Sequence, residues 1–261
     1  MRIFGLIAVG FWLTMMTLLV KRDVLPAFGR RGDPGYRTLL LKKSNMEETT
    51  MGIYVGEQKI GFAHEVIRPN ADGGYSVSSE TELDGARLGL ASLISFRSNT
   101  SIDAAFRLAA FDLSARVLGV EATVRGTVVD DVLVISTEGV SATGIPQSGP
   151  AEEKRLQLDG PMTLSTGLSP FTGMPELEVG KEWTIISVNP LDAARGTLAT
   201  ESRRAHVEKK EFIEWEGERV ETFVVKVETR QAFARECTAW ITKEGEILKQ
   251  RVGMIEMRLE R

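Results

Sequence analysis

The chain opens with a continuous apolar segment and changes, from about residue 51, to short segments in which apolar and polar residues alternate. Residues 3–20 carry no charge, and at ~1.5 Å per residue they are just long enough to cross a hydrocarbon core of ~30 Å as a helix. Alternation with a period of two is typical of strands that bury one face. The pattern predicts a mainly β protein: an N-terminal transmembrane helix followed by a large antiparallel curved sheet, an incomplete barrel or a sandwich.

Changes in composition divide the chain into three predicted regions. Residues 1–28 are interpreted as a transmembrane anchor, residues 29–50 as a stalk or linker, and residues 51–261 as the antiparallel β domain. Residues 141–160 include a run rich in Gly, Pro and Ser, which indicates a loop. Whether the β domain is one lobe or is divided there into two stays open.

A cleaved signal peptide is the alternative interpretation of residues 3–20. It requires a shorter apolar core, of about 7–15 residues, and small residues at a cleavage site. Here the bulky, charged residues Lys21, Arg22 and Asp23 follow instead. We therefore favour an uncleaved single-pass anchor, with lipid around residues 3–20 as its partner.

The orientation of the anchor is not settled by the charges beside it. More Lys and Arg follow the span than precede it, which favours a cytoplasmic domain. Long domains, however, often translocate regardless of nearby charge. We expect the large domain on the periplasmic, extracytoplasmic side.

Strand boundaries follow from the alternation and the turn residues. Strands are predicted over residues 75–83, 120–129, 132–138 and 182–188, with a turn at Asp130-Asp131. Near the C-terminus, Cys237, Ala239 and Ile241 share one face of a predicted strand. The sequence therefore predicts that Cys237 is a small buried residue and not a reactive thiol.

One apolar segment between the β halves lacks alternation. Within residues 161–175, four residues are candidates to plug or gate a concave sheet, although simple packing of the loop on the core is the more common role of such residues. These residues are Leu164, Leu168, Phe171 and Met174.

The first predicted hairpin supplies two more candidates for the cavity. Its second strand has Ile60, Phe62, His64 and Val66 at alternate positions, so they are expected to share one face. Phe62 and His64 are the two that we assign to a ligand cavity. A histidine on an apolar face is more often a satisfied core residue than a catalytic base.

Charge and chemistry exclude several classes of function. The chain has a net charge of −4, and because residues 1–31 contribute +4, residues 32–261 carry −8. An acidic domain is a poor partner for nucleic acid. Two histidines and one cysteine leave too few ligands for a common zinc site. We expect no cofactor, no metal and no catalytic residue.

Both ends of the β domain carry a short hairpin motif. The opening hairpin has Tyr54, Gly56, Lys59, Ile60, Gly61 and Phe62, and the closing hairpin has Trp240 and Gly245. In these two stretches the chain resembles a β-rich domain of bacterial envelope proteins that often lies upstream of a transglutaminase-like domain. The resemblance implies a fold similar in outline to lipoprotein-carrier half-barrels, which hold acyl chains in a concave sheet. It also implies that the anchor spans a bacterial cytoplasmic membrane, and it suggests a transglutaminase-like protein or other membrane subunits as partners.

The catalytic half of that arrangement is absent. A transglutaminase-like enzyme needs a Cys nucleophile followed by a His base and an Asp, whereas both histidines here precede Cys237. The leading hypothesis is a membrane-anchored, extracytoplasmic, non-enzymatic β domain that binds a hydrophobic or amphipathic ligand or serves a membrane complex as an accessory subunit. The alternatives are a structural scaffold without a ligand cavity and, third, a hydrolase with an unrecognised site.

Overall fold

The protein was analysed as a computed structural model, which describes residues 35–40, 45–88, 93–117, 120–138, 152–158, 160, 162–165, 174–190, 192, 197–228 and 236–261. The predicted anchor, residues 1–28, lies outside these residues. None of the helices within the described ranges has the length and apolarity needed to cross a membrane. The described residues form one fifteen-stranded sheet. The prediction of a mainly β protein with one large antiparallel sheet is confirmed.

The described strands are numerous and range from 2 to 16 residues, and a short helix precedes the first of them within the described part of the chain. The helix α1 is Gly35–Leu40, and a 3₁₀ turn covers Gly85–Leu88. The strands are β1 Glu47–Val55, β2 Gln58–Pro69, β3 Tyr75–Leu83, β4 Ile94–Ile102, β5 Leu108–Val117, β6 Val120–Val129, β7 Val132–Glu138, β8 Glu152–Gln157, β9 Thr163–Leu164, β10 Glu182–Val188, β11 Thr200–Trp215, β12 Glu218–Glu228, β13 Glu236–Ile241, β14 Ile247–Val252 and β15 Ile255–Glu260.

Two meanders make up the sheet. Strands β1–β8 pair in order and form the N-terminal half-sheet, and strands β9–β15 pair in order and form the C-terminal half-sheet. The first strand pairs with the last, so β1 and β15 join the halves at the middle of the sheet. All pairings are antiparallel except that between β9 and β10.

The sheet curls until its two edges approach each other. The edge strands are β8 and β9, and fourteen gaps of about 4.8 Å would hold them about 67 Å apart in a flat sheet. The chain from Gln157 to Thr163, however, spans at most ~22 Å even when fully extended. The right-handed twist of neighbouring strands supplies curvature of this kind.

Tight turns explain why the predicted hairpin boundaries match so closely. Asp130 and Asp131 both have positive φ, 50° and 59°, as the two central residues of a type I′ turn require. This turn joins β6 to β7 as predicted. Glu216 and Gly217, with φ of 51° and 83°, make the corresponding turn between β11 and β12.

Strands β9 and β10 are buried on both faces where they pair. Trp183 and Ile185 pack in a cluster with β11–β14, which we call the C-terminal cluster. Val188, on the opposite face of β10, packs in a second cluster, the α1 cluster, with residues of α1 and of β2–β8. The C-terminal edge of the sheet is therefore enclosed between the cores of the two half-sheets.

The helix α1 seals the region where the two edges approach. Tyr36 and Leu40 are buried in the α1 cluster, and the Tyr36 hydroxyl accepts a hydrogen bond from the backbone N–H of Leu164 at 3.0 Å. A side chain thus satisfies a donor of the edge strand β9. The range predicted as a stalk, residues 29–50, contains α1 and the first four residues of β1, because a six-residue helix is too short to show periodicity.

Candidate ligand-binding site

The core face of the C-terminal half-sheet is filled. Its side chains pack tightly in the C-terminal cluster, and none of its buried members is more than 8% exposed. Met174, Leu177 and Ile247 pack against this cluster. The buried members are Trp183, Ile185, Ala205, Val207, Phe223, Val225, Val227, Cys237, Ala239, Ile241 and Val252.

On strands β1–β4, the core face of the N-terminal half-sheet is apolar only towards its two ends. At one end lies the α1 cluster, which includes Ile67 of β2 and Ile102 of β4. At the other end lies a third cluster, the β1–β15 cluster, which includes Ile53, Leu83 and Ile94. The residues between these two ends have a different character.

Two adjacent rows of side chains cross β1–β4 between the two clusters, and we call them the inner belt. Strand register places four residues in each row, on the same face as the flanking core residues. All eight are only partly buried. The first row is Met51, Ala63, Thr81 and Phe96, and the second row is Thr49, Glu65, Ser79 and Ser98.

The inner belt is amphipathic and built largely from small side chains. Met51, Ala63 and Phe96 pack at the margin of the β1–β15 cluster, whereas the second row is polar throughout. The hydroxyls of Ser79 and Ser98 lie 3.0 Å apart and share a hydrogen bond. Small residues leave space that a packed interior would fill, so the belt offers apolar and polar surface side by side.

Glu65 is the one carboxylate of the belt, and its charge acts on Tyr36 in α1. Burial raises the pKa of Tyr36 to about 12; the hydrogen bond from Leu164 opposes this rise, and the nearby carboxylate of Glu65 adds to it. Glu65 therefore faces the interior close to the phenol of Tyr36. The polar row of the belt and the helix that closes the half-sheet are electrostatic neighbours.

Phe62 and His64, which the sequence assigned to the cavity, lie on the outer face of β2. A β-bulge at Lys59-Ile60 shifts the register against β1, so Ile60 joins the β1–β15 cluster and the residues that follow exchange faces. His64 Nδ1 is 3.0 Å from the Thr50 hydroxyl. The shared face predicted for Ile60 and Phe62 is therefore wrong.

The predicted gate residues are placed separately. Leu164 is in β9 and is buried in the α1 cluster, whereas Met174 packs against the C-terminal cluster. Leu168 and Phe171 lie outside the described residues. The structure thus does not bring Leu164 and Met174 together.

Sequence reasoning missed Ala63 and Glu65 because the stronger apolar alternation on β2 belongs to its outer face. The neighbouring strands carry a usable signal. On β3, Val77 and Leu83 flank Ser79 and Thr81 at alternate positions, so the core face is apolar at its ends and polar between them. The polar residues at the middle of the core face of β3 are therefore the sequence signal that locates the belt.

Two residues of the opening hairpin motif, Tyr54 and Lys59, make contacts on the outer face. The Tyr54 hydroxyl donates to Glu260 at 3.1 Å, and Lys59 forms an ion pair with the same carboxylate at 2.7 Å. At Gly61 a Cβ atom would lie 2.0 Å from the backbone oxygen of Glu82. Close strand packing therefore explains these positions without reference to a ligand.

Cys237 is buried in the C-terminal cluster, which confirms the prediction from the sequence. Burial raises the pKa of its thiol to about 12, an effect that the charge of Arg203 opposes and that of Glu236 assists. A thiol with such a pKa is almost wholly protonated near neutral pH, and the thiolate is the reactive form. Within the described residues, no group of three or more His, Cys, Asp or Glu side chains is arranged to hold a metal ion.

No protein-family model matches the chain. No curated protein matches it either. A search of solved structures finds similarity to a β-barrel-like protein of Domain of Unknown Function DUF1849 from Brucella abortus, with 12% sequence identity and a TM-score of 0.45. The alignment covers 82% of this chain and 94% of that protein.

Proposed function

We propose that the protein is a non-catalytic binding domain that holds an amphipathic ligand against the inner belt of its N-terminal half-sheet. The proposal rests on the different burial of the core faces of the two half-sheets. The core face of the C-terminal half-sheet is closed by packed side chains, whereas eight residues at the middle of the other core face are only partly buried.

The two rows suggest the class of ligand. Met51, Ala63 and Phe96 offer apolar surface to a hydrocarbon portion, at roughly 25 cal/mol for each Å² removed from water. Ser79, Ser98 and the other polar residues of the second row offer donors and acceptors to a head group. A ligand with an apolar chain and a hydroxyl-bearing polar end matches both rows.

The membrane anchor is part of the same proposal. The uncharged run of residues 3–20 supports a single-pass tether, which would keep the binding domain beside the lipid phase from which an amphipathic ligand comes. We place the domain on the periplasmic side, where it serves as an accessory of a membrane complex, with a transglutaminase-like protein as one candidate partner.

Native mass spectrometry of the full chain, released from micelles of a non-ionic detergent, tests the ligand proposal. Monolaurin is the probe, because it combines a twelve-carbon chain with hydroxyls that donate and accept hydrogen bonds. Ala63→Trp fills the belt from the core face of β2. The matched control is Val66→Trp, which places the same side chain on the outer face of the same strand.

The wild-type chain and Val66→Trp are expected to retain one monolaurin molecule, and Ala63→Trp is expected to lose it. Absence of the adduct from the wild-type chain would overturn the proposal and favour the scaffold alternative. Retention by Ala63→Trp would also overturn it, because the ligand would then bind away from the belt.

A further inference from the structure

Buried hydroxyls occupy a position in the fold where apolar side chains are expected. Strands enclosed on both faces are normally almost continuously apolar. On β9 and β10, however, Thr163 and Ser187 share the face that carries Ile185 towards the C-terminal cluster, and Ser165, the residue that follows β9, is also buried. Ser165 and Ser187 are 3% and 2% exposed.

Two of these hydroxyls have unused hydrogen-bonding capacity. The Oγ atoms of Ser165 and Ser187 have no hydrogen-bond partner among the described residues. The indole N–H of Trp183, on the same face of β10, also lacks one. Each such group costs about 1–3 kcal/mol when it is buried without a partner. A bound group with acceptor atoms would satisfy such donors.

An ion pair between the buried Arg203 and the partly exposed Glu201 lies beside the hydroxyls. In the register of β10 and β11, Ser187 is opposite Glu201, and Ile185 is opposite Arg203. The guanidinium of Arg203, 8% exposed, donates from Nε and Nη2 to one oxygen of Glu201, at 3.1 and 2.5 Å. Its Nη1 donates to no acceptor within the described part of the chain. We call Ser165, Ser187, Glu201 and Arg203 the hydroxyl niche.

The unpartnered groups of the niche can all donate a hydrogen bond. The guanidinium of Arg203 only donates, and each serine hydroxyl donates one hydrogen and can also accept. Because Glu201 already neutralises the charge of Arg203, these donors favour an occupant with no more than a single negative charge. Guanidinium groups match the planar or tetrahedral oxygens of carboxylates and phosphates particularly well.

We propose that the hydroxyl niche binds a small oxyanion, a carboxylate or a phosphate, through the hydroxyls of Ser165 and Ser187 and the guanidinium of Arg203. This site lies in the C-terminal half-sheet and is separate from the inner belt. Its failure would leave the proposal for the belt untouched, because the two sites lie on different strands and respond to different probes.

Thermal unfolding of the full chain in non-ionic detergent tests this proposal. Sodium acetate and sodium phosphate are compared with sodium chloride at equal ionic strength. The test variant is Ser165→Ala with Ser187→Ala, which removes both unpartnered hydroxyls and leaves the apolar contacts in place. The matched control is Ser101→Ala with Ser136→Ala, which removes two hydroxyls from the outer faces of β4 and β7.

At concentrations well above Kd, the bound anion is expected to raise Tm of the wild-type chain and the control by about 2–4 °C above chloride. The test variant is expected to fold with an equal or higher Tm in chloride and to lose that rise. A rise with acetate alone identifies a carboxylate site, and a rise with phosphate alone identifies a phosphate site.

Two results would overturn the proposal. No rise with either anion would mean that the niche holds only water, with the hydroxyls satisfied by solvent. An undiminished rise in the test variant would mean that the anions act elsewhere or through the bulk solvent.

Discussion

The two half-sheets follow the same period-two pattern of apolar and polar residues, but they differ in how deeply their core-face side chains are buried. In the C-terminal half-sheet, core-face positions such as Val225 and Ala239 are fully buried. In the N-terminal half-sheet, the corresponding middle positions, Ala63 and Ser79, are partly buried and flanked by clusters at both ends. Where no β-bulge intervenes, alternation thus specifies which face turns inward, and side-chain volume decides whether that face is filled.

Truncation of large side chains should separate the two halves most clearly. Ile241→Ala leaves a cavity in the filled half and is expected to lower the free energy of unfolding by about 2–5 kcal/mol. Met51→Ala in the belt should cost no more than about 1 kcal/mol, because its side chain is already partly exposed. Denaturant unfolding at equilibrium measures both. Equal losses would show that the belt is packed as tightly as the C-terminal cluster.

Replacing a core-face alanine by leucine should affect the stability of the fold differently in the two half-sheets. Ala239→Leu adds volume at a position that is fully buried and is expected to destabilise the fold by about 1–3 kcal/mol. Ala63→Leu adds the same atoms to the belt and should be neutral within about 0.5 kcal/mol or stabilising. The same unfolding measurement applies. A large loss at Ala63 would contradict the unfilled belt.

Alkaline titration tests the closure of the N-terminal half-sheet by α1. The pKa of Tyr36 rises from 10.0 to about 12 on folding, so the folded state retains a proton that the unfolded state loses. Its contribution is complete below pH 10 and is lost as the pH rises towards 12, in total about 2–3 kcal/mol.

Tyr36→Phe should therefore show a shallower loss of stability between pH 10 and 12, although it costs about 1 kcal/mol at neutral pH through the lost acceptor for Leu164. The thiol of Cys237 titrates over the same range in both proteins. Ile67→Val, in the same cluster, is the control: it should lower stability without changing the pH slope. An unchanged slope in Tyr36→Phe would contradict a buried phenol.

The reactivity of a cysteine thiol compares the exposure of the two half-sheets directly, and the measurement does not depend on a change in stability. Cys237 should resist Ellman's reagent in the native state, because burial keeps its thiol protonated and covered. Ser79→Cys, made together with Cys237→Ala, places the thiol in the belt and should react readily. Similar rates for both thiols would remove the distinction between the halves.

The strand boundaries were largely predictable from the sequence. The face of each strand that points to the core was less predictable. Alternation and turn residues located β3, β6, β7 and β10 at their observed boundaries, because each strand lies between unambiguous turn residues. The bulge at Lys59-Ile60 reversed the inward face of β2 without disturbing its apolar pattern. A one-residue insertion of this kind is set by backbone geometry, and alternation alone does not record it.

Long-range features escaped prediction for a different reason. The pairing of β1 with β15 and the enclosure of β9 and β10 between two clusters depend on residues far apart in the chain. The same holds for Tyr36, whose partner, Leu164, is 128 positions away. Local periodicity carries no information about such contacts, so the niche and the closing role of α1 emerged only from the fold.

The pairing of β1 with β15 also has a consequence for how the chain reaches its native state. The register that joins Thr50 to Glu260 closes a loop of roughly 210 residues, and loop closure of this length is entropically costly and slow. During synthesis, β1 must wait with an unpaired edge until the last strand leaves the ribosome. An unpaired edge invites association with other chains, so the interval before β15 docks is when a folding factor would have most effect.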